Sequence, residues 1–475
     1  MALRNLEIGE HRRSGCANLA RAAVLSVGLA AAVAVSAPGS SSASTTAADG
    51  TRAQPVRGPS FTAIECGTYN GKGCAPSSRR VDVTRPTFTR PTRVTNPLFP
   101  IARLASAVLL GKVDGEPFRS ETTLLPTTTT VVWAGQRVKT LVSQYMAYRN
   151  GRIEEVAIDR YAQADDGSVW YFGEDVVDYR NGSIFTTAGT WLAGREGPAA
   201  MIMPGTPKVG DVFRPENILG VVFEEVRVKA IGMTVQGPRG PIPGAVVAEE
   251  LHLDGSHSDK VFAPGRGEFS TGSVSGTELL ALGMPADAVT TAEPAQLTSM
   301  LTAALGLVGA VQGRDWEAAD PIAKRIGSLT AALPKQGQPP LVLARLGEAV
   351  GALGRAVKSR AVARAGTAAI LAGQSILDLQ LQYRPVTAID RGRFELWCYQ
   401  VLVDATARNG GNVSGDVATL EWIRDRFVHT LDATEIAELD ARLRALRSAA
   451  DDARLTAAAD HAVRLAARLR SLGVR

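Results

Sequence analysis

The sequence predicts an α+β protein of two domains: an antiparallel β meander, a curved sheet or partial barrel, followed by an all-α array of about four helical hairpins. Three observations predict it. The stretch 120–269 alternates in hydropathy, turn dipeptides punctuate that alternation, and beyond residue 276 an apolar spacing of three and four recurs in successive segments.

The alternation is explicit. Val138, Thr140 and Val142 interleave with Lys139, Leu141 and Ser143; Val156 and Ile158 with Ala157 and Asp159; Val226 and Val228 with Arg227 and Lys229. A period of two is the mark of a strand with one face buried. Asn150-Gly151, Asp166-Gly167, Asn181-Gly182 and Asp254-Gly255 supply the positive φ angles of tight hairpins. Turns this short oblige sequence neighbours to pair, which predicts a meander and not a Greek key.

In the second half, Trp316, Ala319, Ala323, Ile326, Thr330 and Leu333 correspond to Val362, Ala365, Ala369, Ala372, Ile376 and Leu379, and then to Leu455, Ala458, Ala462, Leu465, Leu469 and Leu472. Each set marks one helical face. A partner helix repeats in step: Met300, Ala304 and Leu307, then Leu346, Val350 and Leu353, then Leu439, Leu443 and Leu446. The second offset is about twice the first, so a divergent copy is expected between them, in "RFELWCYQVLVDA" and "VATLEWIRDRFVHTL". One hairpin alone leaves an apolar stripe exposed, so the copies must stack.

The chain of 475 residues exceeds one core, and 21% charged with 45% apolar residues suits a globular protein. The first 43 residues have the layout of a secretory signal peptide: Arg4, Arg12, Arg13 and Arg21, then the apolar run "AAVLSVGLAAAVAVSA", then small residues up to Ala43. The expectation is a secreted or extracytoplasmic protein, soluble after cleavage. Residues 44–95 form a basic tract rich in Pro, Thr and Arg, expected to be a solvated linker with a small disulfide loop, Cys66 to Cys74, around "GTYNGK". The alternative for this tract is contact with anionic wall polymers or a membrane surface. Residues 96–275 are the predicted β domain and 295–475 the helical-hairpin repeat domain. Nucleic acid is not an expected partner, because the chain lacks aromatic-basic interleaving.

The motifs "NPLFP" (96–100), "VWYFGEDVVDYRNG" (169–182), "TWLAGREGPAAMIMPGTPKVGDVFRPE" (190–216) and "FAPGRGEF" (262–269) together resemble an uncharacterised family of exported bacterial proteins, over roughly 85–275. The resemblance implies one domain over that span and implies no activity.

The aromatic-acidic motif raises the question of a site. On a strand, Trp170 and Phe172 face one way and Tyr171 the other. The candidate ligand-binding residues are Trp170, Tyr171, Glu174 and Arg214, on the rim of a concave sheet face. Adjacent Glu174 and Asp175 point to opposite faces, a poor acid/base couple. His252 is expected to be solvated at a hairpin tip. A candidate metal ridge is Glu421, Asp425 and His429, spaced by four along one helix, with Arg424 and Arg426 close by. No Gly-x-Ser-x-Gly, His-Glu-x-x-His or phosphate loop is present, and no cofactor is expected. The sequence thus reads as an exported, non-catalytic binding or scaffold protein of the cell envelope with an unidentified ligand or protein partner. The alternatives are metal binding by the helical domain and carboxylate-dependent hydrolysis.

Overall fold

The computed structural model describes residues 74–472 apart from 219 and 274. The segment expected as a signal peptide, and Cys66 with its expected bond to Cys74, lie outside the described residues. Fourteen strands form one antiparallel sheet: β1 (Ser106–Val113), β2 (Glu116–Trp133), β3 (Gln136–Arg149), β4 (Arg152–Gln163), β5 (Val169–Arg180), β6 (Ser183–Thr186), β7 (Trp191–Leu192), β8 (Ala200–Met203), β9 (Val212–Ile218), β10 (Val222–Gly237), β11 (Gly240–His252), β12 (His257–Ala263), β13 (Gly267–Ser273) and β14 (Gly276–Met284). Their order is β6-β5-β4-β3-β2-β1-β14-β13-β12-β11-β10-β9, with the short β7 and β8 both on β5. The meander therefore has two arms joined where β14 pairs with β1. Among the described residues no ladder links β9 to β5 or β8, so the sheet curls into a barrel-like cup with one open seam. Several hairpins turn as predicted: Asn150-Gly151 and Asn181-Gly182 each place both residues at positive φ.

The tract 78–95, expected as a solvated linker, instead lies packed on the sheet. Phe88 meets the rings of Phe172 at 5.4 Å and Trp133 at 6.5 Å, and Val94 is buried. Asp165 accepts hydrogen bonds from the Thr87 and Thr89 hydroxyls at 2.7 and 2.6 Å. Three scattered apolar residues, Val81, Phe88 and Val94, suffice to bind an extended segment to the apolar face it crosses. Its prolines remove backbone donors, so the strap pairs with the sheet only at isolated points: Arg80 bridges Val212, Val81 donating to the Val212 carbonyl at 2.8 Å, and the Pro91 carbonyl accepts from Gln163 at 2.8 Å.

Eight helices follow as four hairpins: α1 (Ala295–Gln312) with α2 (Trp316–Ala331), α3 (Pro340–Lys358) with α4 (Val362–Gln380), α5 (Val386–Thr406) with α6 (Gly410–Phe427), and α7 (Ala433–Asp451) with α8 (Leu455–Ser471). The repeat is visible in the backbone. Each hairpin turns through one left-handed residue, Arg314, Arg360, Arg408 and Ala453. The following amide in each case reaches back five residues: Asp315 to Ala310, Ala361 to Ala356, Asn409 to Asp404 and Arg454 to Ala449, at 2.9–3.0 Å. This closes the orphan carbonyls of the first helix without glycine. By length and composition α1 could cross a membrane. Here its Leu297, Met300, Ala304, Leu307 and Val311 face is core.

The helices cover the convex side of the cup. Val108, Leu110, Leu282 and Met284 of the sheet share one core with α1–α5, and Met146, Tyr148, Ile153 and Val156 share another with α5–α8. Tyr148 stacks on Trp397 at 5.7 Å. Within this interface lies a charged network. Arg119 binds Asp378 at 2.5 Å and Glu121 at 2.7 Å, Arg393 binds Asp378 and Asp390 at 3.0 and 3.1 Å, and Arg426 reaches Glu121 at 2.5 Å.

Candidate functional site

The concave side carries the candidate site. It starts with a break in alternation inside "VWYFGED". Trp170 and Phe172 point to the apolar layer beneath the strap, and Tyr171 points into the cup. Opposite Arg160 of β4, β5 carries the two residues Phe172 and Gly173, so pairing moves from Tyr161–Tyr171 to Asp159–Glu174. Such a bulge re-aims the side chains beyond it. Gly173 sits at φ +118°, and a Cβ there would lie 2.3 Å from the Trp191 carbonyl oxygen, so glycine is what lets β7 pair alongside. As a result Glu174 joins Tyr171 inside the cup, and Asp175 turns out to Arg160.

The cup encloses a cavity of about 170 Å³. Its walls mix apolar groups, among them Phe99, Leu109, Ile202 and Phe262, with Tyr145, Tyr161 and Tyr171. Eight carboxylates line it, Glu155, Asp159, Glu174, Glu216, Glu224, Glu250, Glu268 and Glu278, against two basic side chains, Lys260 and Arg266.

These acids form a belt. Asp159 faces Glu174 across β4–β5, Glu174 and Glu216 approach one another across the open seam, Glu216 faces Glu224 across β9–β10, and Glu224 faces His252 across β10–β11. One end of the belt carries its own cations. Lys260 lies 3.3 Å from Glu250 and 3.2 Å from Glu268, and His252 lies 3.6 Å from both Glu224 and Glu250. Burial opposes charge on Glu224, yet His252 and Lys260 hold its carboxyl below the usual range.

The other end is far less compensated, the Arg160 guanidinium, held on Asp175, acting on Asp159 alone. Asp159 accepts from the Tyr171 hydroxyl at 2.7 Å and Ser143 at 3.2 Å, and burial still raises it to about 6. Burial, reinforced by Asp159 and Glu155, raises Glu174 to about 8. Burial and the charges of Glu174 and Glu224 push Glu216 well up, and burial and Asp178 do the same to Glu155. Glu216 is 4% exposed, and its Oε1 has no hydrogen-bond partner among the described residues.

The structure brings Tyr171 and Glu174 of the sequence candidates to this cavity. Trp170 is turned away, donating from Nε1 to Ser168 at 2.8 Å. Arg214 is buried behind the wall, on Glu225 at 3.1 Å and the Cys74 sulfur at 3.0 Å. His252, expected in solvent, is largely buried, because Glu224 and Glu250 draw its ring inward. The ridge Glu421, Asp425, His429 gathers no ligand set. Glu421 pairs with Arg447 at 2.6 Å, Asp425 with Arg424 at 2.6 Å, and α6 ends at Phe427, where a tighter turn takes His429 off the line. Among the described residues, the three-residue group able to hold a metal is Glu224, Glu250 and His252, whose ligand atoms lie within 4.8 Å of one another. Lys260 already supplies a cation there. Sequence reasoning missed Glu155, Asp159 and Glu216. Glu216 is followed closely by a glycine-turned hairpin to Glu224, and the glutamate repeat on that hairpin was the available signal.

Compared with known proteins, the chain matches no family model and no curated protein.

Proposed function

We propose that this is a binding protein that takes a small amphiphilic molecule into the lumen of its curled sheet, with the helical array acting as a brace on the convex side. The observation that carries the reading is the lumen's composition. A cup that served only as a core would be filled with apolar side chains, because each buried polar group costs free energy unless paired. Here carboxyl groups from β4, β5, β9, β10, β11, β13 and β14 converge on an unfilled space lined with aromatic rings. Pockets of this make-up, mostly apolar with convergent polar groups, are the usual form of small-molecule sites. The N-terminal signal-like segment supports an extracytoplasmic setting, in which a Cys66–Cys74 bond would persist.

The second reading is carboxylate-based hydrolysis. It draws on the Glu174–Glu216 pair, a better acid/base couple than Glu174 with Asp175. Native mass spectrometry of the protein from its own host tests the binding reading, with Ala157→Phe as a control that fills the lumen. A retained small molecule that the variant lacks is the expected result. Ligand-free masses for both would remove the support.

A further inference from the structure

The lumen's charge is unevenly matched. Around Glu224, Glu250 and Glu268 the positive charge is built in, as Lys260 and His252. Arg266, the other basic lining residue, is committed to Asp287 at 2.6 Å. Around Glu155, Asp159, Glu174 and Glu216, the groups that face one another are acids, tyrosines, Ser143 and Trp191: Ser143 from β3, Asp159, Glu155 and Tyr161 from β4, Tyr171, Glu174 and Asp178 from β5, Trp191 from β7, Glu216 from β9 and Glu224 from β10. Arg160, next in sequence, turns outward to Asp175. Four carboxyl groups thus converge on open space, and one buried oxygen, Glu216 Oε1, makes no hydrogen bond among the described residues, the neutral Trp191 indole N–H and the Glu174 carboxyl being the groups beside Glu216.

Resting on the lumen-binding reading above, we propose that this end of the belt seats the positively charged head of an organic cation, an ammonium or guanidinium on a compact apolar body. Three physical arguments select that chemistry. A buried carboxylate is stabilised when a cation replaces its lost water, so the site offers most to a positive head and repels a negative one. The rings of Tyr161, Tyr171 and Phe99 line the same space, with Tyr161 stacked on Tyr171 at 4.8 Å and Phe99 edge-on to Tyr161 at 4.9 Å, and aromatic faces favour cations. The volume, about 170 Å³, is of the order that takes a benzene-sized molecule. A cation arriving on carboxyl groups held protonated by burial and mutual repulsion also expels protons, so uptake strengthens as pH rises.

A matched series decides it: benzylamine, benzyl alcohol and benzoate titrated into the full-length protein by calorimetry at pH 6 and pH 8, in buffers of differing ionisation enthalpy. Benzylamine is expected to bind at least tenfold more tightly than benzyl alcohol at pH 8, with proton release, and benzoate not at all. Glu174→Gln and Glu216→Gln should each weaken benzylamine about tenfold and leave benzyl alcohol unchanged, and Ala157→Phe should abolish both. If benzyl alcohol or benzoate binds as well as benzylamine and Ala157→Phe blocks it, the cation inference falls and the lumen reading stands. If calcium chloride alone stabilises the protein through Glu216 and benzylamine does not, the site is for a metal and the inference falls. If none of the three compounds binds, it falls together with the lumen reading.

Discussion

Two sets of charges are buried on opposite faces of the same sheet, and they are built on different rules. On the convex face, Glu121, Asp378 and Asp390 meet Arg119, Arg393 and Arg426, three against three, with contacts of 2.5–3.1 Å. On the concave face, Glu155, Asp159, Glu174 and Glu216 meet one another. Both sets contain atoms without a hydrogen-bond partner. Those of the convex set, Asp390 Oδ2, Arg393 Nε and Arg426 Nη2, belong to side chains already engaged with opposite charge, whereas Glu216 has the acids Glu174 and Glu224 and the neutral Trp191 indole as neighbours. A matched buried network fixes how sheet and helices dock; an unmatched one leaves a charge for something else to supply. On the reading proposed above, that difference separates architecture from site.

The comparison breaks first on Arg393. Its guanidinium is fully buried between Asp378 and Asp390, and removing it strands carboxylates that have lost their water. Arg393→Met is expected to cost about 3–5 kcal/mol, the range for breaking a buried ion pair by deleting one partner. Urea denaturation followed by circular dichroism measures it. A loss below about 1 kcal/mol would mean the convex network does not hold the layers together.

The concave set should respond in the opposite sense to pH. Its carboxyl pKa values are raised in the folded state, Asp159 to about 6 and Glu174 to about 8, so folding binds protons there. Such groups lower stability as pH climbs from the unfolded carboxyl value through the folded one. Between pH 5 and pH 8 the wild type should therefore lose about 2 kcal/mol more stability than the double variant Glu174→Gln, Glu216→Gln, given roughly 1.4 kcal/mol per unit of pKa and partial relaxation of the empty site. At pH 5 the two should be nearly equal, because the carboxyl groups are then protonated and resemble the amides. Thermal melts across the range check this. Parallel pH profiles for the two proteins would show that the acids are not held uncharged by the fold.

Much of the framework was legible in the sequence, for local reasons. Alternation and turn dipeptides reported the meander because hairpin pairing is decided by a few neighbouring residues. The helical repeat reported itself through offsets between Trp316, Val362 and Leu455, each of which proved to be the first residue of a second helix in its hairpin. The site was less legible. Tyr171 and Glu174 were found through the aromatic motif, but their shared side depends on the bulge at Gly173, and strict alternation gives no phase beyond such an insertion. Asp159 and Glu174 are cross-strand partners in one hairpin, whereas Glu216 is brought to them by curvature and by the long return from β6 to β9, which no short-range pattern encodes. His252 was misplaced because a turn next to it suggested solvent, while its actual neighbour Glu224 is 28 residues earlier in the chain.

The smallest effect belongs to the exposed charges of the helical array, and it tests whether burial or charge itself drives the contrast. Glu421 and Arg447 form a contact of 2.6 Å, as short as those of the convex network, but the Glu421 side chain is 40% exposed. In water the attraction is screened, and ordering two flexible side chains offsets most of what remains. Glu421→Gln is therefore expected to change stability by about 0.5 kcal/mol or less, with the difference disappearing in 1 M salt, where screening is nearly complete beyond a few ångströms. The same variant addresses the metal alternative, since a ligand role for Glu421, Asp425 and His429 requires a carboxylate free of Arg447. Elemental analysis of wild type, Glu421→Gln and His429→Ala should give equal and negligible metal. A metal content lost in both variants would show that Arg447 yields its carboxylate to an ion, and the helical array would then share in function with the cup it braces.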